Sequence, residues 1–227
     1  MTDIIYLLST ARLEKYNAPA QANALDLHLY NALLCETFYL PLSYLEIMLR
    51  NRIDMVFSKQ FGFDWILKQE FQIGQNQIEN MNAARRSLVG SGKDINNRNN
   101  LIAELPFGFW TAFFRKEYCN SLWDKYPELL PEIFRFYPNK KKINLAKISW
   151  SLNAIRQYRN KIFHYGSLIV CDDCAPSCEV MHDMIYNFIK NIAGKNISDK
   201  LKGFDRFEKV HKNSGAITYG FKGQAQP

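Results

Sequence analysis

LAKISWSLNAIRQYRNKIFHYG, residues 145–166, decides how the chain is read. Leu145, Ile148, Leu152 and Ile155 recur at spacings of 3, 4 and 3, the stripe of a helix with one buried face, and the next positions on it are Arg159 and Ile162. A helix over residues 145–163 therefore carries a guanidinium toward the core. Burying that charge alone costs several kcal/mol, so Arg159 must find a carboxylate, reach a cleft or snorkel outward along its stem. Asn160 sets an amide beside it. His164 follows near the last turn, where Gly166 lets the helix end and the negative end of the helix dipole lies.

That trio is equipment for chemistry on RNA. A base removes the proton of a ribose 2′-hydroxyl, an acid protonates the departing 5′-oxygen, and a fixed cation holds the phosphate as charge develops. No metal or cofactor is required. On a straight helix, however, Arg159 and His164 point about 140° apart, and the helix carries one imidazole where two are desirable. A two-fold dimer that lines one cleft with two copies of each solves both problems.

Working outward, apolar residues keep helical spacing almost everywhere and no run alternates long enough for a half-buried strand, so the fold is all-α. One helix is expected near residues 22–39. A second, with Pro41 in its first turn and a stripe of Leu42, Leu45, Leu49, Ile53 and Val56, runs to Gly62, and the two are expected to pair antiparallel. A helix near residues 75–88 leads to the polar, glycine-bearing segment 90–100, expected to be a mobile loop. The block Leu105-Pro106-Phe107-Gly108-Phe109-Trp110, continuing to Trp123, reads as core in preference to ligand contact. A last long helix is expected near residues 177–193.

With 227 residues the chain can bury one generous core, and 1–193 reads as a single domain. Lysine and arginine number 29 against 22 acids, a net +7 that favours a polyanionic partner. Seven of those cations and three acids fall from Lys195 onward, so 194–227 is expected to be a basic, poorly ordered tail. Five cysteines, an odd count, with Cys35 and Cys119 alone in apolar helical patterns, favour a reducing compartment, and the expected location is the cytoplasm. The start lacks a basic n-region and no apolar run approaches the roughly 18 residues that span a bilayer, so neither export nor a membrane is expected.

Arg159-Asn160-Lys161-Ile162-Phe163-His164 resembles the R-N-x-x-x-H signature of the HEPN superfamily, and the flanking pattern is similar to the Abi-like proteins of bacterial abortive infection. Those relatives carry a block like Leu105–Trp110 a few dozen residues before the signature. An early helical pattern like Leu45-Glu46-Ile47-Met48-Leu49-Arg50-Asn51-Arg52 with Phe61-Gly62-Phe63-Asp64-Trp65 precedes it. The likeness covers roughly residues 25–193. It implies a helical HEPN bundle, dimeric through the signature helices, and a metal-independent endoribonuclease of phage-defence or toxin type, with an antitoxin as a further partner. The alternative within the same family is a non-catalytic module that binds RNA or protein.

Carried over by residue, Arg159 grips the scissile phosphate, His164 moves protons and Asn160 orients the two. Glu46 resembles the acid that fixes the arginine, although it also stands four residues before Arg50 in the order that suits a local helix pair. Lys161, Tyr165 and Arg50 are further expected RNA contacts. Lys140-Lys141-Lys142 either meets the RNA backbone or is a solvated run. Where many relatives add a histidine or an acid after the signature, this chain has Tyr165-Gly166-Ser167.

One other cluster has ligand spacing. Cys171, Cys174, Cys178 and His182 form C-x2-C-x3-C-x3-H, which either closes a structural zinc site or consists of free thiols in a variable loop. Gly90-Ser91-Gly92-Lys93 lacks the preceding strand and the glycine spacing of a phosphate-binding loop.

Overall fold

A computed structural model describes residues 6–16, 21–68, 73–169 and 176–212. Every regular element among them is helical: α1 (Thr10–Glu14), α2 (Gln21–Thr37), α3 (Tyr39–Phe61), α4 (Trp65–Lys68), α5 (Gln75–Gly90), α6 (Arg98–Glu104), α7 (Phe107–Ala112), α8 (Leu129–Ile133), α9 (Leu145–Phe163), α10 (Cys178–Ala193), α11 (Lys195–Lys202) and α12 (Phe207–Lys212). Single turns of 3-10 or π helix lie at Lys116–Tyr118, Cys119–Trp123 and Lys140–Lys142. The chain divides into two compact units. The first takes 1–43, 157–185 and 199–227, and the second takes 44–156 and 186–198.

The expected antiparallel pairing of α2 with α3 does not occur. Phe38 alone separates them, donating its backbone N–H to Cys35 O at 3.1 Å and accepting from Leu42 N at 3.0 Å, which leaves no loop in which the chain could reverse. Pro41 explains the restart, because a residue without an N–H and with fixed φ belongs in a first helical turn. The helix so extended, Ala24–Phe61, is 38 residues long and reaches a mean hydropathy of 1.3, enough by length and composition to cross a membrane, contrary to the sequence expectation. Its stripe of Leu34, Phe38, Leu42, Leu45, Leu49, Ile53 and Phe57 is at most 4 % exposed, as in the core helix of a packed protein.

The aromatic block is core, as expected. In the second unit Phe109, Trp110, Phe113 and Phe114 are fully buried, and Phe57, Trp65 and Phe113 meet edge to face. Trp110 Nε1 is buried there without a hydrogen-bond partner among the described residues, whereas two other donors reach backbone carbonyls of the block. Trp123 Nε1 donates to Phe113 O at 2.8 Å, and Gln77 Nε2 donates to Phe109 O at 3.0 Å. Around Asp54 a buried polar knot forms: its carboxylate accepts from Trp65 Nε1 at 2.9 Å and pairs with Arg98, which also reaches Ser58 Oγ at 2.6 Å and lies over the Phe63 ring.

Residues 90–100 are not a bare loop. Gly92, at φ +67°, takes the left-handed position after α5, with Gly92 N donating to Val89 O at 3.0 Å and Lys93 N to Leu88 O at 2.9 Å. Asn97 then caps α6 by accepting from Asn99 N and Asn100 N. The polarity that reads as disorder is capping chemistry.

Nor is everything past 193 a solvated tail. In the first unit Phe207 is buried and stacks on His182 with ring centres 4.2 Å apart, while His182 Nε2 lies 2.9 Å from Asp205 Oδ2. His211 pairs with Glu179 at 2.9 Å. The lysines of α11 and α12 occupy exposed positions, so charge composition hid a helical pattern of Leu201 and Phe207. Residues 213–227 lie outside the described ones.

Removing the acid of the knot strands a buried guanidinium. Asp54→Ala is expected to cost about 3–5 kcal/mol in urea denaturation of the full chain, and Asp54→Asn, which keeps an acceptor, less.

Candidate functional site

Helix α9 begins with Asn144, whose Oδ1 accepts from Lys147 N at 2.9 Å. Ile148, Leu152 and Ile155 are buried as the stripe requires, but the next core position falls at Tyr158, 8 % exposed, rather than at Arg159. Tyr158 Oη donates to Cys178 Sγ at 3.1 Å, which gives the buried hydroxyl its partner. Arg159 is thereby shifted to the edge of the stripe and is half-buried. Its guanidinium lies 4.4 Å above the centre of the Phe163 ring, Nη1 stands 3.5 Å from Asn160 Oδ1, and Nε is shut off from solvent. A cation over an aromatic face is attracted by the ring quadrupole, which favours this placement of the side chain.

His164, the first residue beyond α9, is exposed, and its backbone N–H bonds to Asn160 O at 2.9 Å. Among the described residues no contact joins its ring to Arg159 or Asn160, in keeping with the angular offset read from the sequence. The structure thus gathers Arg159, Asn160 and Phe163 and leaves the imidazole in solvent.

The helix ends differently from the sequence expectation. The left-handed residue is Tyr165, at φ +59°, not Gly166. Tyr165 N donates to Ile162 O at 3.0 Å and Gly166 N to Lys161 O at 2.7 Å, closing the last carbonyls. Glycine is needed at 166 for a steric reason, since a Cβ there would stand 2.6 Å from Lys161 Cγ and 2.8 Å from Lys161 O. A side chain in the left-handed region costs roughly 1–2 kcal/mol, and such residues persist only where surroundings over-determine them.

Two residues of the first unit do so. Asn31, 4 % exposed, donates from Nδ2 to Gly166 O at 3.2 Å and accepts from Leu168 N at 2.6 Å. Arg12 Nη1 donates to Tyr165 O at 3.2 Å. Neither belongs to the sequence-derived site. Asn31 leaves a faint signal, an amide at a core-facing position between Leu27 and Leu34; Arg12 leaves none. The turn so clamped displays Tyr165 at 76 % exposure, next to His164 and Phe163.

The remaining expected residues divide as follows. Lys161 is half-buried and lies near Cys35, whose thiol burial pushes up to about 11, with Cys178 adding to the rise and the Lys161 charge opposing it. Glu46 is half-buried on the part of α3 that belongs to the second unit. Arg50 does not take up the local pair with Glu46 but donates to Ala103 O and Asn51 Oδ1, each at 3.2 Å. Lys140, Lys141 and Lys142 form an exposed 3-10 turn in the second unit.

Of the zinc candidates, Cys171 and Cys174 lie outside the described residues. Cys178 is engaged by Tyr158 and by Leu168 O, and His182 by Asp205. Among the described residues no three histidines, cysteines or acids cluster as metal ligands would.

What fold and site define, then, is an all-α protein with a clamped, aromatic, cation-bearing helix end. Compared with known proteins, the chain matches no family model, no curated protein and no solved structure.

The clamp makes two measurable demands. Asn31→Ala takes a partner from a buried N–H and a part-buried carbonyl, the former worth about 1–3 kcal/mol, and is expected to lower unfolding stability by roughly 1–3 kcal/mol. Tyr165→Gly relieves the left-handed strain and is expected to raise it by about 1 kcal/mol.

Proposed function

We propose that the chain is an Abi-like HEPN endoribonuclease of phage-defence or toxin type, cutting RNA without a metal at a site formed by two copies of the chain. The observation that carries this reading is the strained turn after α9, in which Asn31 and Arg12 hold Tyr165 left-handed and so fix the backbone of His164 just past Arg159. Stability spent on presenting exposed side chains supports a role for them.

In the proposed reaction His164 takes the proton of a ribose 2′-hydroxyl. The 2′-oxygen attacks phosphorus, the bond to the 5′-oxygen breaks, and a protonated imidazole returns a proton to that leaving oxygen. The products are a 2′,3′-cyclic phosphate and a free 5′-hydroxyl. Arg159 balances the charge that grows on the non-bridging oxygens. Asn160 orients the guanidinium, and Lys161 and Tyr165 border the strand.

Base and acid are then imidazoles of different chains, which answers the single histidine per helix end. Exposed Leu29 and Leu33, one helical turn apart on α2, together with exposed Phe163, supply apolar surface for the pairing. The alternative, a module that binds RNA without cutting it, is favoured by the solvent-facing His164 ring, which one chain does not aim at Arg159. The proposed setting is the cytoplasm, with RNA and an antitoxin as partners.

Incubating RNA with the full chain in EDTA separates the two readings. The nuclease predicts cyclic-phosphate ends and a loss of roughly 10²–10⁴-fold in rate for His164→Ala, with a comparable loss for Arg159→Ala. Retained binding with no cleavage by the unaltered chain identifies the module instead.

A further inference from the structure

A second feature lies wholly within the second unit. The first turn of α9 and the chain leaving α7 line an open cleft of about 1010 Å³. Arg115, Lys116 and Arg156 stand in its walls, and no aspartate or glutamate does. Among the described residues neither Arg115 nor Lys116 forms an ion pair, and Arg156 donates only to the neutral Asn153 Oδ1, at 2.9 Å. Three cations facing one concavity without a carboxylate repel one another, a cost that an anion in the cleft removes. Leu145 and Ala146, the first residues of the 19-residue α9, also line the space, which brings the positive end of a helix dipole close to it.

The second observation is aromatic. Trp65, Trp110 and Trp123 are buried, whereas Trp150, in the wall of the cleft, is 60 % exposed. An indole left in water beside unneutralised cations matches a partner that alternates phosphates with flat rings, since base stacking on aromatic side chains and backbone-tracking cations are how single strands are held. An acidic peptide would neutralise the cations and leave the indole without a stacking partner. The volume stands at the top of the range of about 300–1,000 Å³ typical of small-ligand pockets, room for a short strand rather than a lone phosphate.

We propose that this cleft binds a short single-stranded nucleic acid, its phosphates on Arg115, Lys116 and Arg156 and a base stacked on Trp150. It uses none of the groups at the end of α9, so it stands whether or not the chain cleaves RNA.

Binding is best measured in the His164→Ala full chain, where cleavage does not interfere, with fluorescent octauridylate and its deoxythymidylate counterpart as probes. Trp150→Ala is expected to weaken binding roughly ten-fold. Arg115→Gln with Lys116→Gln is expected to weaken it further and to reduce the slope of log affinity against log salt by about 0.7 for each cation removed. Binding is also expected to quench tryptophan emission in the parent and not in Trp150→Phe. Equal affinity for the two probes, or tighter binding of the ribose form, both uphold the cleft and tell whether the 2′-hydroxyl is read. Unchanged affinity and salt slope in all these variants, with folding verified by circular dichroism, would overturn the proposal. So would polyglutamate of matched charge competing as well as octauridylate.

Discussion

Asn31 Oδ1 accepts the backbone N–H of Leu168 at 2.6 Å, and the exit of the chain from α9 hangs from that bond. A helix leaves its last carbonyls unsatisfied, and α9 closes them by turning left-handed at a residue that resists it. Without an external anchor the chain would relax that strain by fraying. Asn31 and Arg12 supply the anchor from α2 and from the segment before it, so the exit path of the chain, and with it the bearing of His164 and Tyr165, is set by residues remote in sequence.

The same logic explains where Arg159 ends up. Tyr158 takes the core position because its ring fills apolar space and its hydroxyl finds the Cys178 thiol, which moves the guanidinium to the rim of the stripe. There it rests on Phe163. The second unit handles charge in two ways: Arg98 is consumed by Asp54, whereas Arg115, Lys116 and Arg156 are left facing an open cleft.

Much of this is written locally in the sequence. The bounds of α9 follow from its stripe, and the burial of the Phe107–Trp123 region follows from its aromatic density. What escapes is set at a distance or by a single residue. The run from α2 into α3 depends on Phe38 being all that separates them, and periodicity cannot tell a hairpin from a restart. Past residue 193, the count of lysines outweighs two apolar anchors, Leu201 and Phe207, although it is the anchors that fold the segment. The site shows the same division: Arg159, Asn160 and His164 stand in one hexapeptide, while Asn31 and Arg12, which position the turn, carry no motif. Arg115 and Trp150 lie some 35 residues apart in sequence, and only the fold brings them into one cleft.

The proposed nuclease needs two chains at one reaction centre, because each helix end brings a single imidazole. Sedimentation equilibrium of the full chain, at the concentration at which cleavage is assayed, addresses this directly. The expected result is a particle of twice the 26.5 kDa chain mass, dissociating in step with loss of cleavage as the protein is diluted. Undiminished cleavage per chain by a species of 26.5 kDa would contradict it.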